Sequence, residues 1–117
     1  MGQLRIEKVQ ELIKQEVSQI ILQELKDPRI GFVTVTQVDV TGDLRSAKIY
    51  VSLMGNDTQI KDCWTALQSS LGYIRREIGK RIRLRCTPEL SFQLDKSLDY
   101  SVHIQELLTK IKENEAN

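Results

Sequence analysis

A chain of 117 residues, 40% hydrophobic and 28% charged, is sized for one globular domain that buries roughly two thirds of its unfolded surface. No apolar run approaches the ~20 residues a membrane span needs and the N-terminus has no signal-peptide core, so the composition points to a cytoplasmic protein. Only 5% of residues are aromatic, which argues against a ligand platform built from stacked rings.

Over residues 6–25, Ile6, Val9, Ile13, Val17, Ile20, Ile21 and Leu25 recur at helical spacing, and Pro28 is expected to end that helix. Residues 32–40 are rich in Val and Thr and read as a strand. Its alternation breaks between Val33 and Val35 on one parity and Phe32, Val38 and Val40 on the other, from either a bulge or two covered faces. Thr41-Gly42-Asp43 is turn chemistry. Ala47, Ile49, Val51 and Leu53 then alternate with Lys48, Tyr50 and Ser52, completing a hairpin. Asn56 or Asp57 is positioned to cap the next helix. That helix carries Ile60, Trp64, Leu67, Leu71, Ile74 and Ile78 along one stripe. Gly72, preceded by two serines, predicts a bend at Ser70-Leu71-Gly72 within this stripe, and Gly79 is expected at the helix end. Leu90, Phe92 and Leu94 mark a third strand after Pro88. Tyr100, Ile104, Leu107, Leu108 and Ile111 mark a last helix. The reading is one α+β domain over residues 1–112, a three-stranded sheet with helices on one face, followed by a frayed tail at 113–117.

Charge is distributed unevenly along this frame. Residues 75–85 carry Arg75, Arg76, Lys80, Arg81, Arg83 and Arg85 against the single acid Glu77; this +5 window leaves −4 for the rest of a chain whose net charge is +1. One dense cationic face on a near-neutral protein suits an extended anionic surface, and nucleic acid is the commonest. Arg75 and Arg76 follow the bend within one turn, near helix N–H groups that favour phosphate. Ile82-Arg83-Leu84-Arg85-Cys86 alternates like a strand, which turns Arg83 and Arg85 to the same outer side. Arg45 and Lys48 extend the patch from the hairpin. Lys8 and Lys14 read as solvation, Tyr50 and Tyr73 as packing, Trp64 as core and His103 as surface. Cys63 and Cys86 lack metal-ligand spacing and read as two buried reduced thiols. Asp27, Asp39 and Asp43 sit beside turns and read as turn or capping residues rather than metal ligands, so no cofactor and no metal are expected.

Four stretches in order resemble the ribosome-binding factor A family: Asp27-Pro28-Arg29-Ile30-Gly31 before Val33-Thr34-Val35; residues 43–51; Gly72-Tyr73-Ile74-Arg75 leading to residues 79–85; and Thr87-Pro88-Glu89-Leu90. The resemblance implies a type II KH-like domain in which a kinked helix pair replaces the backbone-clamping Gly-x-x-Gly loop of ordinary KH domains. The family's Ala-x-Gly kink falls on Ser70-Leu71-Gly72, with serine in place of alanine; a serine hydroxyl is able to bond back to the helix backbone there. The resemblance further implies a monomeric, non-enzymatic factor. Such a factor binds 16S rRNA on the 30S ribosomal subunit, promotes late maturation including the 5′ end of that RNA, supports growth in the cold, and works alongside assembly GTPases. The expected RNA contacts are Ser70, Gly72, Arg75, Arg76, Lys80, Arg81, Arg83, Arg85, Arg45 and Lys48. The alternative is a protein–protein adaptor whose basic face docks an acidic ribosomal protein or GTPase; a metal-dependent ribonuclease lacks a supporting motif.

Overall fold

The computed structural model describes residues 3–95, 97, 100 and 102–116, with side chains for 5–95, 97, 100 and 102–110. The order is α1 (Gln3–Gln19) running into a π-helical turn (Ile20–Glu24), β1 (Phe32–Val40), β2 (Ser46–Met54), α2 (Asp57–Ser69), α3 (Leu71–Arg81), β3 (Glu89–Leu94) and α4 (Val102–Ala116). The sheet order is β1-β2-β3, with β1 antiparallel and β3 parallel to β2. A parallel neighbour requires a long crossover, and α2 with α3 supplies it.

The broken parity of β1 is a bulge. Val35 pairs with Val51 and Gln37 with Tyr50, which leaves Thr36 over. The extra residue resets the faces, so Val35, Val38 and Val40 are all buried. Along β2, Ala47, Ile49, Val51 and Leu53 face the helices while Lys48, Tyr50 and Ser52 lie on the polar, uncovered side. Ile13 and Val17 of α1, Ile20 of the π-helical turn, Leu67 of α2, Ile74 and Ile78 of α3, and Phe92 of β3 complete a solvent-free interior. Truncating any of them to alanine costs about 2–5 kcal/mol. Gln10 of α1 accepts the Val40 N–H at 3.0 Å, satisfying a donor on the edge strand. The Tyr100 hydroxyl accepts the Leu53 N–H at 2.8 Å, fastening the approach to α4 onto the end of β2.

Several local expectations change. The first helix does not run to Pro28: Leu25 is already extended, and its N–H reaches back five residues to the Ile20 carbonyl at 3.0 Å. Asn56 rather than Asp57 caps α2, exchanging bonds of 2.8 Å with Gln59 in a capping box. The bend is a single non-helical residue, Ser70 (φ −89°, ψ −5°), and Gly72 already belongs to α3. Gly79 does not end α3, which continues to Arg81. Residues 82–86 form a loop: β2 already has β1 and β3 on its two edges, and Arg75 of α3, bonded to the Thr87 and Pro88 carbonyls, holds the end of the segment against the helix rather than along a free strand edge. The burial alternation survives: Ile82 is buried and Leu84 half-buried, with Arg83 and Arg85 exposed. Cys63 is buried, but Cys86 is exposed on that loop, contrary to the two buried thiols expected. Trp64 is in the core and His103 is exposed. Helix α4 passes residue 112 and continues to Ala116; the Ile111 side chain and the side chains of 113–117 lie outside the described residues.

Candidate nucleic-acid interface

Residues 72, 75, 76, 79 and 80 fall on one stripe of α3, three or four apart. Gly72, Arg75, Arg76, Gly79 and Lys80 line one wall of an open groove of about 520 Å³, and Cys86 and Thr87 line the other. Two absent side chains shape it. A Cβ at Gly72 would meet nothing within 4 Å, so the glycine leaves the groove floor open. A Cβ at Gly79 would stand 2.7 Å from the Thr87 hydroxyl oxygen, so the glycine allows the loop to lie against the helix.

The cations divide by what holds them. Arg75 donates to the carbonyls of Thr87 and Pro88 at 3.2 Å and pairs with Glu89 at 3.4 Å, bracing the loop that forms the second wall. Its side chain is still 46% exposed. Lys80 leans on Glu77 at 3.3 Å. The side chains of Arg76, Arg83 and Arg85 are exposed and have no hydrogen bond or ion pair among the described residues. Ser70 turns its hydroxyl back to the Ala66 carbonyl at 2.8 Å, as the bend chemistry anticipates, and so leaves the first turn of α3 without a side-chain cap.

Arg81 points elsewhere. Its guanidinium reaches Glu16 at 3.3 Å, Glu24 at 2.5 Å and Glu77 at 3.2 Å, tying α3 to α1 and its π-helical end. Tyr73 donates to the same Glu24 at 2.9 Å. The hydrogen bond from Arg81 holds the Glu24 carboxyl below its usual range, and the guanidinium itself is held above its own, chiefly by Glu24. With three carboxylates around it, this arginine is a strut between helices and offers no spare charge to a phosphate.

The hairpin residues also separate. The Arg45 carbonyl accepts the Glu89 N–H at 2.8 Å, which sets Arg45 beside the strand that follows the groove loop. The turn that delivers it is costly: Leu44 adopts φ 61°, and its buried side chain offsets that strain. Lys48 lies on the uncovered side of the sheet, across from Asp39 and Ser91, and is not brought to the groove. The three aspartates each serve locally: Asp27 binds Arg29 at 2.6 Å, Asp39 accepts Gln37 at 2.6 Å, and Asp43 accepts Thr41 at 2.7 Å. Among the described residues no group of three His, Cys, Asp or Glu is placed to hold a metal ion. Sequence reasoning missed Gly79, Cys86 and Thr87 as groove residues; the seven-residue spacing from Gly72 to Gly79, one helix face over two turns, is the signal that points to the first of them.

Fold and groove together define a KH-like α+β domain whose helix junction, in place of a Gly-x-x-Gly loop, presents a cationic face. The model of the family described as Ribosome-binding factor A matches residues 5–108, and the chain belongs to that family. The Ribosome-binding factor A of Desulfitobacterium hafniense (strain DCB-2) is 50% identical over 115 residues, covering 98% of this chain and 92% of the relative. The solution structure of a Thermotoga maritima candidate for the same factor is 33% identical, with a TM-score of 0.70, covering 87% of this chain and 97% of that one. The fold is also similar (TM-score 0.60, 23% identity, 77% and 94% coverage) to the Thermus thermophilus factor as fitted into a cryo-EM map of its complex with the 30S subunit.

Proposed function

We propose that this protein is a non-catalytic assembly factor that binds 16S rRNA on free 30S subunits through the α3 groove. In this reading it acts as a cytoplasmic monomer without a cofactor, alongside assembly GTPases. It promotes late maturation of the subunit, including 5′-end processing of the RNA, and supports growth in the cold. One observation carries the reading: Arg76 in the groove wall with Gly72, Arg75 and Lys80, and Arg83 and Arg85 on the loop leading to Cys86 and Thr87, are exposed with no ion pair among the described residues. Such guanidinium groups have only weak hydration to give up and no internal side-chain partner among the described residues, which suits phosphate oxygens arriving from outside. Family membership and the 30S complex of the Thermus relative support the choice of the small subunit as the RNA-bearing partner.

The test is co-sedimentation with free 30S subunits at increasing salt. About five phosphate contacts should lose roughly two to three orders of magnitude in affinity between about 50 and 200 mM salt through counterion release. A shallow salt dependence, with binding that survives nuclease digestion of the exposed RNA, would favour the protein adaptor instead. Purified protein should leave precursor rRNA untrimmed with any divalent metal, while cells lacking it accumulate the untrimmed 5′ end.

A further inference from the structure

At the N-terminal end of α2, away from the groove, the first residue of β1 and the last of β2 are both apolar and both exposed: Phe32 by 82% and Met54 by 70%. They are direct cross-strand partners, which sets their Cβ atoms about 5 Å apart and makes one continuous patch. The patch walls an open hollow of about 620 Å³ that runs to the first turns of α2 and is lined also by Arg29, Gln59 and Asp62. The polar walls are already fixed. Asp27 holds Arg29 at 2.6 Å, and Gln59 is locked in the capping box of α2.

The charges lining this hollow are Arg29, paired with Asp27, and Asp62, whose carboxylate also acts on Arg29 but makes no side-chain hydrogen bond or ion pair among the described residues; one guanidinium against these two carboxylates leaves a net −1. An apolar patch with this net negative edge repels a phosphate backbone. It suits a polypeptide that offers an apolar side chain with a lysine or arginine beside it. The hollow reaches Cys63 on α2 and the groove begins at Gly72 on α3, so the last six residues of α2, about 9 Å of helix, and the bend lie between them, and no residue lines both.

We infer that the Phe32–Met54 hollow is a second docking site, taking a basic peptide segment with an apolar anchor from a protein component of the 30S subunit. The inference rests on the subunit-binding reading above.

Photo-cross-linking on purified 30S subunits tests it, with p-benzoylphenylalanine substituted for Phe32 in one variant and for Arg83 in another. Position 32 should cross-link to a protein at a peptide carrying Lys or Arg within a few residues, and adding Asp62→Lys should cut that yield several-fold. Position 83 should cross-link to rRNA. Three results would overturn the docking site: an rRNA cross-link from position 32, a protein cross-link indifferent to Asp62→Lys, or silence at 32 while 83 reacts. Silence at both positions overturns the subunit-binding reading and the docking site with it.

Discussion

Gly79 and Thr87 meet at the neck of the groove, where a methyl group on the glycine would stand 2.7 Å from the threonine hydroxyl oxygen. The helix thus forgoes up to ~1 kcal/mol of propensity at Gly79 in exchange for a close approach of the loop. Gly79→Ala alone should therefore gain nothing or destabilise. In a Thr87→Ala background the hydroxyl is gone, and Gly79→Ala should then stabilise by up to ~1 kcal/mol. Urea melts of the four proteins in this double-mutant cycle measure the coupling; an equal effect of Gly79→Ala in both backgrounds would show that the contact costs nothing.

Gly72 behaves differently, because a methyl group there meets open space. Close approach of helix to sheet, the structural reason a glycine in this stripe first suggests, does not apply. Gly72→Ala should raise stability by up to ~1 kcal/mol and weaken 30S binding, since the added group enters the groove floor between the bend and Arg76. Melting temperature and affinity measured on this one variant decide the point. Raised stability with unchanged affinity would remove Gly72 from the interface.

Arg81 and the pair Arg83 and Arg85 should separate cleanly. Arg81→Met strands three carboxylates together, so it should lower the melting temperature while leaving the salt slope of 30S binding unchanged. Replacing Arg83 and Arg85 by Glu should leave the melting curve intact and abolish binding, both side chains being exposed. Wild-type affinity in the double variant would dismiss the loop as a contact.

Acid should weaken the fold in a defined window. Hydrogen bonds from the Arg29 side chain and N–H hold the Asp27 carboxyl at about 2, against an ordinary 3.8. Its contribution is therefore fully present above about pH 4 and is lost as pH falls from there toward 2. Glu24, depressed by its bond to Arg81, adds to the loss in the same direction below 4.5. Melting temperatures from pH 6 down to about 2 should fall most steeply below about pH 4, and Asp27→Asn should flatten that slope. A slope unaltered by Asp27→Asn would assign the acid sensitivity elsewhere.

Periodicity alone located the helices, the hairpin and the third strand, because the side-chain repeat of an isolated helix or strand already states which face must leave water. The same repeat marked the bend, since Ser70 and Gly72 interrupt helix propensity without interrupting the apolar stripe. The basic window was equally plain, being a matter of counting charges in sequence. Tertiary structure decided how each charge is used. Arg81 and Arg83 are two residues apart and look alike in the sequence, yet one is caged by Glu24, 57 residues earlier, while the other faces solvent. It likewise decided that residues 82–86 stay a loop, that Thr36 is the bulged residue, that Gly79 serves Thr87 and that Lys48 faces away from the groove. Local pattern records whether a residue wants burial; which partner it meets is set by contacts that close only when distant segments pack.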